Sequence, residues 1–238
     1  MPISVMVDKY AWRMRPYLPL TALNTVWRFL NKGAKNILDV GCGKGQPMKF
    51  LNRQGLFKVV GIDIFKPYLL ECKNSGVYSE CLRCDIRALP FKKKSFDVVI
   101  CMAVLEHLAK NDGINLIKGM EYIATKQIII DVPKGVYEQH IAKDGNPEQI
   151  HKSSWEPDDL KKLGYKVRGQ GLPIYGESGL VGHLPQPIRW LSYLLYWLAC
   201  PLTYFLPGLS GNMVATKRFP EEEAYFTPEV SRKIDEVM

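Results

Sequence analysis

The segment Ile37-Leu38-Asp39-Val40-Gly41-Cys42-Gly43-Lys44-Gly45 decides how this chain folds. An apolar run ends in an acid, three glycines alternate with other residues, and a helix-compatible stretch follows from Gln46 to Arg53. The pattern predicts a buried strand, a tight turn and a helix whose N-terminus faces whatever lies over the turn. Glycine lets the backbone adopt positive φ and approach a ligand closely. The free N–H groups of the turn and first helical turn suit a carboxylate or phosphate. A dinucleotide fold would require a third glycine where Gln46 stands. A turn that binds nothing would use the same glycines, so the residues downstream must arbitrate.

Phe57 to Asp63 reads as a second buried strand ending in an acid, with Ile64 next. Its distance from the glycine loop is the one at which a doubly wound sheet sets a carboxylate beside that loop, ready for two ribose hydroxyls. A surface acid at a strand end is the alternative. Pro67 to Lys73 predicts a helix and Tyr78 to Arg83 a third strand, followed by Cys84-Asp85-Ile86 and Leu89-Pro90-Phe91. Ser95 to Cys101 predicts a fourth strand, and Met102-Ala103-Val104-Leu105-Glu106-His107-Leu108 follows directly. Ligands collect at the carboxyl ends of parallel strands, so this last segment should floor the site.

Together, Asp39-x-Gly-x-Gly-x-Gly, Asp63, Asp85-Ile86 with Leu-Pro-Phe, and Ser-Phe-Asp-Val-Val resemble the successive motifs of the class I S-adenosylmethionine-dependent methyltransferases. The resemblance implies an α/β, Rossmann-like, doubly wound, seven-stranded and mostly parallel sheet with an antiparallel last strand. It implies S-adenosyl-L-methionine as cofactor, contacted by Asp39, Gly41, Cys42, Gly43, Gly45, Asp63, Ile64, Asp85, Ile86 and Met102. In that family the acid matching Asp85 accepts from the adenine amino group, and the residue matching Ile86 packs on the ring or offers its N–H. Asp97 has a structural role at the start of its strand. Leu105-Glu106-His107-Leu108 is similar to a segment of small-molecule and quinone methyltransferases. His107 is a candidate base near neutral pH, and a helix-start histidine bonded to backbone is the bland alternative.

The 238 residues carry a formal charge of +8, are 47% hydrophobic and 24% charged, and fit a globular chain with a sizeable core. Lys and Arg are scattered, and Lys92-Lys93-Lys94 is the longest run. The six cysteines lie mostly in apolar segments. Ile3 to Val7 has no preceding basic region and Asp8 ends it, so no secretory signal is expected and a reducing, cytosolic setting follows. Cys81-x-x-Cys84 is half of a zinc or redox pattern, but no second pair at ligand spacing accompanies it. No metal is called for.

Asn111 to Ile123 predicts an amphipathic helix and Gln127 to Val132 a fifth strand. Residues 136–154 are polar and belong over the substrate side, making His140 and His151 candidate substrate contacts. Trp155 to Leu163 predicts a helix, Tyr165 to Gly171 a sixth strand, and Met213 to Arg218 the closing antiparallel strand. Between the last two strands, Trp190 to Leu206 is almost wholly apolar and aromatic, with no polar face. A membrane span there would strand Met213 to Arg218 across the bilayer from its sheet, and Pro201 and Pro207 should break the run. Two short helices result, acting as a lid over an apolar substrate, as a face bedded in a membrane interface, or as an extra core layer. The expected organisation is one domain over 1–238: a helical flap at 1–34, the cofactor core at 35–171, the insertion at 172–210, the last strand at 211–218 and a tail helix at 219–238.

The sequence therefore predicts a methyltransferase acting on an oxygen or nitrogen, less readily a carbon, of a small or lipid-like acceptor. It would be cytoplasmic or peripheral at a membrane through Trp190 to Leu206. A nucleic-acid methyltransferase is the second reading, disfavoured by the lack of an Asn-Pro-Pro-Tyr motif after the fourth strand. A non-catalytic S-adenosylmethionine-binding scaffold is the third. Oligomeric state is not legible.

Overall fold

The computed structural model describes residues 17, 19–135, 145–173 and 186–220, with the side chains at 186–194 and 197 excepted. His140, half of the expected flap (residues 1–16 and 18) and nearly all of the expected tail helix lie outside the described residues. Among the described residues the first elements are helix α1 (Ala22–Phe29) and strand β1 (Asn36–Val40), then α2 (Gln46–Leu51), β2 (Lys58–Asp63), α3 (Lys66–Asn74) and β3 (Glu80–Arg83). There follow β4 (Phe96–Met102), α4 (Lys110–Ile123), β5 (Ala124–Pro133), α5 (Pro157–Lys162), β6 (Lys166–Gln170), α6 (Gln186–Phe205) and β7 (Asn212–Arg218).

These strands form one seven-stranded sheet in the order β3-β2-β1-β4-β5-β7-β6. The first five pair in parallel, and β7 runs antiparallel between β5 and β6. The order reverses between β1 and β4, which opens a crevice above their carboxyl ends. A parallel sheet is covered on both faces, so its strands read as continuous apolar runs whose residues alternate between two cores. Leu38, Val40, Val99, Cys101, Ile128 and Ile130 enter one core with Leu116, Met120 and Trp155. Ile37, Val98, Ile100 and Ile129 enter the other with Val26, Leu30 and Met48. Gln127, fully buried on that second side, donates through Nε2 to Phe29 O (2.9 Å) and to Thr216 Oγ1 (2.8 Å), and accepts from Asn31 N–H at 2.9 Å. One amide thus ties the end of α1 to β5 and β7.

Three local expectations change. β3 starts at Glu80; Tyr78 instead turns inward beneath the glycine loop, where a residue on the peripheral strand could not reach. Trp155 precedes α5 and is fully buried against Gly113, where any Cβ would stand 2.6 Å from the indole. The apolar insertion forms one twenty-residue helix, with Pro201 inside it. Proline removes one intrahelical donor, yet Cys200 and Thr203 are buried on either side of it and hold the helix on β6. Nor is α6 enclosed all round: Leu195, Leu198, Leu202 and Phe205 are exposed. Among the described residues, no helix is long and apolar enough to cross a membrane.

Candidate functional site

A cleft of about 420 Å³ lies over the carboxyl ends of β1, β2 and β4, within the range of small-molecule sites. The glycine loop walls one side. Gly41, Gly43 and Gly45 have φ of 70°, 52° and 75°, a region L side chains rarely adopt. Two of them also lack room: a Cβ at Gly41 would collide with Val104, and one at Gly45 would stand 2.7 Å from the Tyr78 ring. The loop is therefore pressed against both the floor of the cleft and the layer behind it.

Asp63, at the tip of β2, accepts from Gly43 N–H (2.9 Å) and Phe65 N–H (2.8 Å). Burial raises its pKa, and those backbone donors hold it back. Asp39 faces the other way. It is 5% exposed and lies behind the loop, where its Oδ2 accepts from the Tyr78 hydroxyl at 2.7 Å. Burial pushes its pKa up to about 6; the Tyr78 bond opposes this and the Asp63 charge adds to it. Asp85 and Ile86 line the cleft below Asp63. The Asp85 carboxylate pairs with Arg87 at 2.6 Å and is held below the usual range by it.

Of the sequence-predicted cofactor residues, Gly41, Cys42, Gly43, Asp63, Ile64, Asp85, Ile86 and Met102 line the cleft; Asp39 and Gly45 shape the loop from behind. Ala103 continues the floor at φ 52°, its N–H bonded to Asp131 O at 2.8 Å. A non-glycine residue in this conformation is strained, and such strain collects at functional sites. Cys81 and Cys84 do not form a pair: Cys81 Sγ lies 3.0 Å from Cys72, while Cys84 turns to Asp85 O. Their three-residue spacing on an extended strand sends them to opposite sides.

The far end of the cleft is polar. His107 lines it with Asp112, Asn146, Glu148, Gln149 and Lys152. Burial, helped by electrostatic repulsion from neighbouring His151, pushes the His107 pKa down to about 4, so the ring is neutral at pH 7. The two rings lie 5.0 Å apart, centre to centre. Glu106, next to His107 in a short 3-10 turn (Leu105–His107), is 3% exposed, and burial pushes its carboxyl up to about 8. Sequence reading singled out His107 and His151 but passed over Glu106, because an acid inside an apolar segment carries no periodic signal. The fold brings ligating atoms of all three within 4.8 Å of one another.

Comparisons with known proteins agree with this geometry. Residues 38–121 match the family described as "Methyltransferase domain". The chain is 28% identical over 167 residues to the ubiquinone biosynthesis O-methyltransferase of Neisseria meningitidis, covering 57% of this chain and 70% of that protein. It is 37% identical over 73 residues to the Arabidopsis thaliana tRNA (carboxymethyluridine(34)-5-O)-methyltransferase, covering 31% of this chain and 17% of that protein. It spans only 18% and 45% of the length of two further curated relatives. Its fold is similar to that of an S-adenosylmethionine-dependent methyltransferase from Archaeoglobus fulgidus, with a TM-score of 0.52, 17% identity, and coverage of 89% of this chain and 94% of that one. The glycine loop, the switch-point cleft and the sheet order give this chain an α/β, Rossmann-like methyltransferase fold, and residues 38–121 carry the methyltransferase-domain match.

Proposed function

We propose that this chain catalyses methyl transfer from S-adenosylmethionine to an oxygen or nitrogen nucleophile of a small or lipophilic acceptor. The observation that carries the reading is a cleft with two unlike ends: a glycine loop clamped to Asp63 at one, and His107, Gln149 and Lys152 at the other. The cofactor supplies an electrophilic methyl group on a good leaving group, so alignment is the main task left to the protein. Alignment is worth up to about 7–11 kcal/mol in favourable cases. The rigid loop, the strained Ala103 floor and Val104 wedged against Gly41 suit that task.

Asp63 retains lone pairs for ribose hydroxyls after accepting from Gly43 and Phe65. Asp85 can turn to an adenine amino group by releasing one oxygen from Arg87, because an exposed pair is worth only about 0–1 kcal/mol. His107 serves as an acceptor contact. A ring whose conjugate acid titrates near 4 is neutral at pH 7 but draws weakly on a hydroxyl proton.

The assay is a methyl-transfer screen with labelled S-adenosylmethionine against soluble metabolites, lipid extracts and tRNA, with calorimetry on S-adenosylhomocysteine alongside. Label in a small or organic-extractable product is the expected result. Label in RNA alone would replace this reading with the nucleic-acid one, which the tRNA-modifying relative favours. Binding without any product would leave the scaffold reading, and no binding would end all three.

The exposed stripe Leu195, Leu198, Leu202 and Phe205, continued by Leu206 and Leu209, supports docking of α6 on an anionic bilayer surface. Leucines three to four residues apart share one helix face. The chain from Trp190 to Thr216 has no charged residue with which to orient a protein partner, and the net charge of +8 favours anionic headgroups. A lipophilic acceptor would be met there. Flotation with vesicles containing phosphatidylserine should recover the wild type and lose Leu198→Glu/Leu202→Glu; equal recovery of both would remove the membrane role.

A further inference from the structure

Glu106, His107 and His151 converge at the acceptor end of the cleft, and we propose that they bind one divalent transition-metal ion there. Nothing in the sequence pattern announces the site, because the first two residues lie on the turn after β4 and the third comes from the segment before α5. The fold makes them neighbours: one ligating atom from each lies within 4.8 Å of the other two. Ligands about 2.0–2.2 Å from a common zinc ion stand roughly 3.5–4 Å apart, so small side-chain rotations close the set.

A second observation points to a missing partner. The Glu106 side chain is almost fully buried, and its Oε2 meets no hydrogen-bond donor among the described residues. Buried polar atoms are nearly always satisfied, and one left without a partner is costly. A cation between the two histidines supplies what that oxygen lacks.

The site is also held rigid, as metal sites require. Lys152 N–H and Ser153 N–H both donate to Glu106 O, at 2.7 and 3.1 Å. Ser153 Oγ donates to Leu105 O at 3.1 Å and accepts from Trp155 Nε1–H at 3.1 Å. Lys110 holds the next carbonyl, Ser154 O, at 2.6 Å. The segment bearing His151 is thereby fastened along the turn bearing the other two ligands. His107 Nδ1 lies 3.4 Å from Ile150 O; a proton on Nδ1 directed at that carbonyl leaves the Nε2 lone pair for a metal, the usual arrangement for ligating histidines.

Two imidazoles and one carboxylate suit Zn²⁺, Mn²⁺, Fe²⁺ or Co²⁺ better than Mg²⁺ or Ca²⁺, which prefer oxygen-only shells. Three protein ligands leave coordination positions open. Because His107 also lines the cleft, an open position is available to an acceptor hydroxyl or phenolate oxygen. That last consequence rests on the methyl-transfer reading and narrows it to an oxygen acceptor.

The test uses Co²⁺ alone on the chelator-stripped full chain, without cofactor or acceptor, and follows d–d absorption. The wild type should bind one equivalent, with no thiolate-to-metal charge-transfer band despite its six cysteines. Glu106→Gln and His151→Ala should each weaken binding by at least about 100-fold, beyond the ~10–100-fold typical of outer-shell changes. S-adenosylhomocysteine calorimetry on each variant certifies that the cleft is intact. His151→Ala changes a half-buried loop residue and remains informative should Glu106→Gln fail to fold. Absence of Co²⁺ binding, binding that survives in His151→Ala, or a thiolate band would each overturn the proposal. Loss of S-adenosylhomocysteine binding with Co²⁺ binding retained would instead overturn the methyl-transfer reading alone.

Discussion

Behind the glycine loop, the Tyr78 hydroxyl is the donor that makes a carboxylate at position 39 tolerable. Tyr78→Phe leaves Asp39 buried without it and should cost about 1–3 kcal/mol at pH 7, read as a lower melting temperature. Asp39 also imposes a pH dependence of definite sign. Unfolded, its carboxyl titrates near 3.8; folded, near 6. The folded state therefore holds more proton between these values, and stability falls as pH rises through the window and levels off above it. The full effect is on the order of 3 kcal/mol. Asp39→Asn removes it, so the melting temperature of the variant relative to wild type should climb from pH 4 to pH 7; a constant difference would refute the assignment. Asp63 is the contrasting acid, facing the cleft. Asp63→Asn exchanges one acceptor oxygen for a donor amide and should weaken S-adenosylhomocysteine by about 10–100-fold, the loss of one charge-assisted bond. The two acids look alike in the sequence, each at the end of an apolar run, and nothing local told which would face the ligand. What separates them is Tyr78, a residue whose inward turn depends on where β3 begins.

At the level of elements, strands and glycine loop were legible because period and turn chemistry agree over short stretches. The alternation of Val98, Val99, Ile100 and Cys101 between two cores is the direct reading of a strand covered on both faces. Helix α6 was misread at Pro201, since proline is a local signal and the burial that overrides it is not. Its seat depends on β6. A Cβ at Gly169 would collide with the Thr203 carbonyl and stand 2.7 Å from Ser210 Cβ and 2.8 Å from Pro207 Cα. Backbone cannot step aside as a side-chain tip can, so Gly169→Ala should destabilise by about 1–3 kcal/mol. Amide exchange should quicken in α6 and residues 207–210 before it does in β1 or β4; uniform quickening would mean that α6 and the sheet form one cooperative unit. The polar end of the cleft was the least legible element of all. Glu106 and His151 meet where Trp155, packed against Gly113 on α4, fastens the segment that follows His151 into the core.

For the whole molecule, ligand binding and stability are linked. S-adenosylhomocysteine at about 100 times its Kd adds ~2.7 kcal/mol, or roughly 5–10 °C of melting temperature in a chain of this size. A nicotinamide dinucleotide should give none; the reverse outcome would overturn the methyl-transfer reading. The placement of β7 has a further consequence for how the protein is made. Seated between β5 and β6 and bonded along both, it closes the sheet with residues that leave the ribosome last among the seven strands. Until Arg218 emerges, Ile128, Ile129 and Ile130 present an apolar margin with unanswered amides, open to pairing with a neighbouring nascent chain. Translation that stalls before Asn212 should therefore yield chaperone-bound or insoluble fragments, even though the entire glycine-loop half has already been synthesised.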